Sequence, residues 1–217
     1  MGGALLSSSM EHAHPEIDPA MKHLLLLVLL AATGAARAGD NAVTLYGGWR
    51  AGGDFTEVAS GRTTRLDSSG VGALSLDFAL DASRQWQLYL SRQKTELALD
   101  TAGASPLPLT VTTLQIGGTV FFDGPVGRGP YVVGGLGVTA LQPGLAGYDN
   151  ELRPSLSLGL GYQWPLAESL ALRFETRANA TLVSSSGQIF CSGGCTLSVK
   201  GSALTQVDAL LGLSLRF

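Results

Sequence analysis

The chain after residue 38 contains no histidine. All of the protein's three histidines lie before that point, at His12, His14 and His23. Histidine is the side chain that most often serves as general base, and it activates many nucleophiles. No serine and histidine pairing is therefore available after residue 38. We predict that the protein is not an enzyme and that it carries no catalytic residue, cofactor or metal ion.

Charged residues are also scarce. They make up 14% of the chain, against about 25% in ordinary soluble domains. The formal net charge is −3, so no basic surface exists that would hold a nucleic acid. A water-facing coat of lysine and glutamate, which a soluble barrel would need, is missing as well.

No apolar run is long enough to span a membrane as a helix, which takes about 20 residues. The longest run, 24–32 in "MKHLLLLVLLAATGAARAGD", follows the basic Lys22 and ends in the small-residue pattern Ala36, Arg37, Ala38. This pattern is typical of a secretory signal peptide cleaved after Ala38. We assign the signal peptide to 21–38 and the folded domain to 39–217. Residues 1–20 are then either a misassigned upstream leader, with Met21 as the true start, or an unusually long polar leader.

Cysteine occurs twice, at Cys191 and Cys195. Because an exported compartment is oxidising, we expect these two residues to form a disulfide that stiffens a loop. With no histidine nearby they make a poor zinc site.

The chain ends on "DALLGLSLRF", in which apolar residues alternate with small or polar ones. A period of two describes a β-strand with one apolar face. The same alternation, bounded by turn residues, predicts eight strands. They span about 41–51, 70–81, 85–96, 109–122, 130–142, 152–164, 169–182 and 204–217.

The connections between these segments alternate between long and short. In an up-and-down barrel this places all long loops at one rim, and the tight turns and both termini at the other. We predict an all-β, eight-stranded antiparallel transmembrane β-barrel preceded by a cleaved signal peptide. Its leucine-rich faces contact lipid, and its last strand pairs with its first, because an open edge in hydrocarbon would leave backbone groups unpaired.

The inward faces carry charges that can pair. By strand parity they form a barrel-interior network of Asp77, Arg173, Glu175, Arg177, Asp208 and Arg216. An eight-stranded barrel is just wide enough for side chains to fill. We interpret this network as a structural plug of ion pairs; a catalytic or gated site is the alternative.

Aromatic residues lie at strand ends on the short-turn rim. Trp86, Phe122, Trp164 and Phe217 share the parity of the leucines on their own strands. Aromatic rings favour the headgroup level of a membrane. These four residues are therefore predicted to form an aromatic girdle.

The sequence resembles the small eight-stranded outer-membrane barrels of Gram-negative bacteria, the superfamily of the OmpA transmembrane domain, OmpX and OmpW. The resemblance rests on "LYGGWRAGGDF", "GPYVVGGLGV", "RFETRANATLV", "FCSGGC" and the terminal "LLGLSLRF". It implies that Leu211, Leu213, Leu215 and Phe217 form a terminal signal read by the barrel-assembly machinery.

The resemblance also implies integral residence in the bacterial outer membrane. Expected partners are outer-membrane lipid or lipopolysaccharide, the assembly machinery, periplasmic chaperones and a host or surface ligand at the loops. The function we expect is an envelope structural or surface-interaction role. A narrow channel for small hydrophobic molecules, as in OmpW, is the alternative; a wide porin would need about 16 to 18 strands.

Overall fold

The computed structural model describes residues 39–57, 63–98, 106–144, 149–182, 188–189, 197–200 and 203–217. The regular structure in these residues is entirely β. Among them there is no helix with the length and apolar character needed to cross a membrane. The predicted leader and signal peptide lie outside the described residues, as do Cys191 and Cys195.

Eight long strands form the barrel. They are β1 (Ala42–Gly52), β4 (Ser69–Ala79), β5 (Arg84–Ala98), β6 (Leu107–Phe121), β7 (Gly129–Pro143), β8 (Glu151–Pro165), β9 (Leu170–Leu182) and β12 (Ala203–Arg216). Four short strands lie in the connections: β2 (Asp54–Glu57), β3 (Thr63–Leu66), β10 (Gln188–Ile189) and β11 (Leu197–Lys200). All eight predicted segments are confirmed within a few residues.

The sheet closes on itself. Every barrel strand pairs antiparallel with its neighbours in the chain, β5 pairs with β6, and β1 pairs with β12. A walk along paired residues shows the stagger of the strands. It leads from Ala42 through Asp77, Gln87, Gly117, Gly135, Ser157, Asn179 and Gln206 to Gly52. The walk returns to β1 ten residues beyond its start, so the strands are tilted, as closure of a barrel requires.

The two rims differ as predicted. The lower rim holds the tight turns at 80–83, 122–128 and 166–169, together with both ends of the folded domain. The described ends of the four longer connections lie at the upper rim. Two of them contain the short strands, and β2 pairs there with β3 and β11.

The turn at 80–83 is held by one carboxylate. Asp81 accepts hydrogen bonds from the backbone N–H groups of Ser83 and Arg84, both at 2.9 Å, and from Arg84 Nε at 2.6 Å. The bond from the Arg84 side chain, helped by that from Ser83, lowers the pKa of Asp81 to about 2. The carboxylate is exposed to water, which screens its charge. Because its pKa is depressed, Asp81 supports the turn at neutral pH and loses this effect as the pH falls toward 2.

The outer wall is apolar. Large exposed side chains include Leu136, Leu158, Ile116, Leu211 and Leu213. Exposed apolar residues in such number on all sides of a closed barrel are typical of a lipid-facing wall. In the lower part of the wall lie the predicted girdle residues Trp86, Phe122 and Trp164, all exposed, with Phe217 half-buried at the chain end.

Candidate functional site in the barrel lumen

The middle of the lumen contains buried charged side chains, and apolar clusters lie toward its two ends. The middle contains six charged side chains that are almost completely buried: Arg50, Asp77, Arg173, Glu175, Arg177 and Asp208. Three are cationic and three are anionic, so their formal charges balance. Isolated ionised groups in such a setting would be costly, and the contacts below show how each one is paired.

The first ion pair joins β9 to β4. Arg173 Nη1 lies 2.9 Å from Asp77 Oδ2. The same carboxylate accepts hydrogen bonds from Ser75 Oγ at 2.8 Å and Gln87 Nε2 at 2.7 Å. The Arg173 guanidinium also lies 4.6 Å from the centre of the Tyr131 ring, within the range of a cation–π contact.

The second ion pair lies on β9 itself. Arg177 Nη2 is 2.8 Å from Glu175 Oε1. The other oxygen of Glu175 accepts a hydrogen bond from Tyr131 Oη at 2.9 Å and a longer one from Tyr46 Oη at 3.4 Å. Arg177 stacks over the Tyr89 ring at 3.8 Å.

These contacts close into a ring of six side chains, which we call the lumen ring. Its members are Asp77, Gln87, Tyr131, Arg173, Glu175 and Arg177. Arg173 Nε donates to Tyr131 Oη at 3.2 Å, and Tyr131 donates to Glu175. Arg177 Nη2 donates to Gln87 Oε1 at 2.9 Å, and Gln87 donates to Asp77. Because the members come from β4, β5, β7 and β9, the ring ties distant parts of the wall together across the lumen.

The third ion pair lies across the seam where the first strand meets the last. Arg50 Nε and Nη2 lie 2.6 Å and 2.8 Å from the two oxygens of Asp208, a bidentate arrangement. Ser91 accepts from Arg50 at 3.0 Å, and Asn179 Nδ2 donates to Asp208 at 3.0 Å. Arg50 was missed by the sequence prediction. Its parity on β1 with Thr44 and Tyr46 is the signal that could have placed it inside.

Arg216 is placed differently from the prediction. It lies at the lower rim, where Nη2 donates to the backbone carbonyl of Glu168. Its guanidinium lies beside Gly127 in the turn at 122–128. The inward parity was right, but the residue is the last of β12 and lies below the charged middle of the lumen. The other five predicted members, Asp77, Arg173, Glu175, Arg177 and Asp208, lie in the lumen.

Apolar clusters lie at both ends of the lumen. The lower apolar cluster consists of Phe121, Val126, Tyr131 and Val133. The upper apolar cluster consists of Leu66, Leu97, Leu107, Leu109, Val111, Leu141 and Leu204. Val126 belongs to the turn at 122–128. Its backbone amide donates a hydrogen bond to the carbonyl of Ala82 at 2.8 Å. This turn therefore covers part of the lower mouth.

The last strand alternates as the sequence predicted. Leu211 and Leu213 are exposed on the outer wall, and Leu215 and Phe217 are half-buried near the lower rim. Leu210 and Ser214 point inward and are buried. Among the described residues, no cluster of three or more His, Cys, Asp or Glu side chains that could hold a metal ion is found.

Comparison with solved structures identifies the fold. Neisserial surface protein A matches with a TM-score of 0.58 at 11% identity, over 82% of this chain and 98% of that chain. The chain has the fold of a small outer-membrane β-barrel. OprG from Pseudomonas aeruginosa has a TM-score of 0.48 at 12% identity, over 82% of this chain and 96% of that chain. Ail of Yersinia pestis has a TM-score of 0.41 at 11% identity, over 82% and 99%.

Comparisons of the sequence alone add nothing further. No family profile matches the chain, and no curated protein sequence does.

Proposed function

We propose that the protein is a non-enzymatic integral barrel of the bacterial outer membrane, with a structural or surface-interaction role in the envelope. The lumen ring is the observation that carries this proposal. Its six side chains hydrogen-bond in a closed circuit across the barrel interior. Because these side chains cross the lumen, they stabilise the barrel and leave no open pore through it.

The remaining parts of the proposal follow from the two rims. The predicted signal peptide exports the chain, and the strand ending in Phe217 presents the terminal signal to the barrel-assembly machinery and to periplasmic chaperones. The lower rim then faces the periplasm, and the longer loops project from the cell. We propose outer-membrane lipid or lipopolysaccharide as the partner of the apolar wall and a host or surface ligand as the partner of the loops.

The upper apolar cluster favours the second candidate function, a narrow channel for small hydrophobic molecules. Its seven buried side chains form an apolar zone inside the barrel, next to the long loops. A hydrophobic solute entering between those loops would meet a surface of matching polarity. The lumen ring lies below this zone, and such a channel would require the solute to displace it or to leave through the wall.

Conductance in planar bilayers tests the main proposal against the channel. We expect the wild-type protein to show no steady single-channel steps, because the charged side chains of the lumen are all engaged. Glu175→Gln, which leaves Arg177 without its ion-pair partner, lowers stability but opens no pore. Leu136→Ala, on the lipid-facing wall, is the control for insertion and handling. Reproducible steps from the wild type would contradict the plugged lumen and support the channel.

A further inference from the structure

The outer wall changes from apolar to polar at one sharp boundary. On four adjacent strands, directly paired residues form a row of outward leucines: Leu45, Leu74, Leu90 and Leu114. We call it the leucine row. Below it the outward residues of β5 are Leu88 and Trp86, both exposed and apolar. The leucine row is therefore the last continuous apolar layer before the upper rim on this side of the barrel.

The next row toward the upper rim has a different chemistry. Gly47 pairs with Gly72, Gly72 with Arg92, and Arg92 with Thr112. Lys94 is the next outward residue of β5 and pairs with Thr110 of β6. Arg92 and Lys94, the basic pair, are both exposed. No other charged residue occupies an outward position on β1, β4 or β6 beside them.

The basic pair has free charge. Among the described residues, neither Arg92 nor Lys94 has an ion-pair or side-chain hydrogen-bond partner. Two carboxylates line the same surface pocket as Lys94: Glu96, the next outward residue of β5, and Asp67, which precedes β4. Asp67 is joined to Glu96 through backbone atoms, with its amide 3.0 Å from the Glu96 carbonyl. Both carboxylates lie on the loop side of the basic pair, away from the apolar wall.

A shallow recess lies beside the basic pair. Gly47 and Gly72 have no side chains, and a Cβ built on either of them would meet no atom within 4 Å. The recess is bordered above by Trp49, which is 57% exposed and pairs with Gly70. It is bordered below by the leucine row. Open space next to two free cations and above an apolar floor suits a ligand with an anionic head and an apolar tail.

We propose that the basic pair binds the phosphate of a phosphorylated lipid of the outer leaflet, whose acyl chain lies over the leucine row. This inference rests on the proposed membrane location of the barrel. The position of the basic pair, directly above the leucine row, favours a lipid over a free phosphate ion as the ligand. An ion would gain nothing from the leucines, whereas a lipid at this boundary contacts the cations and the apolar row together. Arginine and lysine near a membrane surface each attract anionic lipid by about 1 kcal/mol, which is about fivefold in affinity.

Quenching of tryptophan by brominated lipids tests the site. The chain has three tryptophans, and Trp86→Phe with Trp164→Phe leaves Trp49 as the reporter beside the recess. The protein is refolded into phosphatidylcholine vesicles that contain a minority of phosphatidic acid, with bromine on the acyl chains of one lipid or the other. We expect brominated phosphatidic acid to quench Trp49 with about fivefold preference or more. High salt weakens this preference, because exposed charges are screened.

Two variants locate the effect. Arg92→Ala with Lys94→Ala removes the preference, and Gly72→Leu reduces it by filling the recess. A protein that retains only Trp164, on the opposite rim, shows no preference and serves as the matched control. Quenching of Trp49 by the two lipids in proportion to their mole fractions in the vesicle, or a preference that survives removal of both cations, overturns the proposal. A protein in which neither Trp49 nor Trp164 is quenched by any brominated lipid is not in the bilayer, and that result overturns the proposed function as well.

Discussion

At the scale of single residues, Arg50 and Asp208 form a buried ion pair at the seam between the first and last strands. Both side chains are completely buried, and they face each other across the contact between the first and last strands. Burying two charges is expensive, and their attraction offsets that cost only when the geometry is good. The bidentate contact meets this condition, and the two further hydrogen bonds from Asn179 and to Ser91 add to it.

We predict that breaking this pair destabilises the barrel more than removing it. Arg50→Met or Asp208→Leu alone leaves a buried charge unpaired and should lower the free energy of unfolding by about 3–5 kcal/mol. The double variant should cost less than either single one. Urea unfolding in detergent micelles, followed by tryptophan fluorescence, measures all three. Additive effects of the two substitutions would show that the side chains act independently.

The sequence predicts which side chains point into the lumen but not which of them meet there. Parity along one strand separates inward from outward side chains. The structure buries five of the residues selected in this way: Asp77, Arg173, Glu175, Arg177 and Asp208. Parity carries no information on height. Arg216 shares the inward parity of Asp208 but lies eight residues further along β12, at the rim. Which inward residues meet depends on the stagger between strands, and no single strand encodes that stagger.

At the scale of the strand, glycine makes room for the aromatic rings that hold Glu175. A Cβ built on Gly212 would come within 2.5 Å of the Tyr46 ring. A Cβ on Gly161 would overlap the Tyr131 ring. Interior space in a barrel of eight strands is narrow, so an inward glycine on one strand allows a tyrosine on another to cross the lumen. The sequence alone does not indicate which ring each glycine accommodates.

We predict that two glycine substitutions differ sharply in effect. Gly212→Ala forces Tyr46 aside and should cost about 1–3 kcal/mol, as overpacking of a filled interior does. Gly47→Ala adds a methyl group to the open outer surface and should change stability by less than about 0.5 kcal/mol. Both are measured by urea unfolding in the same detergent. Equal stabilities would mean that the Tyr46 ring moves without cost and does not help to hold Glu175.

Strands were the best-predicted feature of the chain, and the short ones were missed. The predicted 85–96 corresponds to β5 at Arg84–Ala98, and 130–142 corresponds to β7 at Gly129–Pro143. Long alternating segments carry a strong period of two. β2 and β3 have only four residues each, which is too few for alternation to stand out. Their existence depends on pairing with each other, with β11 and with β5 at the upper rim.

At the scale of the whole molecule, closure determines how the barrel responds to heat and detergent. Every long strand is hydrogen-bonded on both sides, so there is no free edge among the eight strands of the barrel. Unfolding must therefore break two strand pairings before any strand is released. Such a barrel is expected to persist in sodium dodecyl sulfate until it is heated.

We predict a heat-dependent shift in gel mobility. The unheated protein should migrate as a compact species, and the boiled protein should migrate at the position of its chain mass. The purified protein should also need detergent or lipid to stay dispersed, because its outer wall is apolar. Identical migration before and after boiling, or a monodisperse protein in plain buffer, would contradict the closed transmembrane barrel.

The pairing of β1 with β12 brings the two ends of the folded domain together at one rim. The amide of Phe217 donates to the carbonyl of Asn41 at 3.0 Å. A short peptide could therefore join the ends, and new ends could be opened in one of the longer connections at the other rim. Such a circular permutant would keep every strand pairing of the barrel while placing Phe217 in mid-chain. Such a permutant would show whether the barrel needs only its strand sequences to fold, or whether Phe217 must also stand at the end of the chain for delivery to the membrane, as we propose.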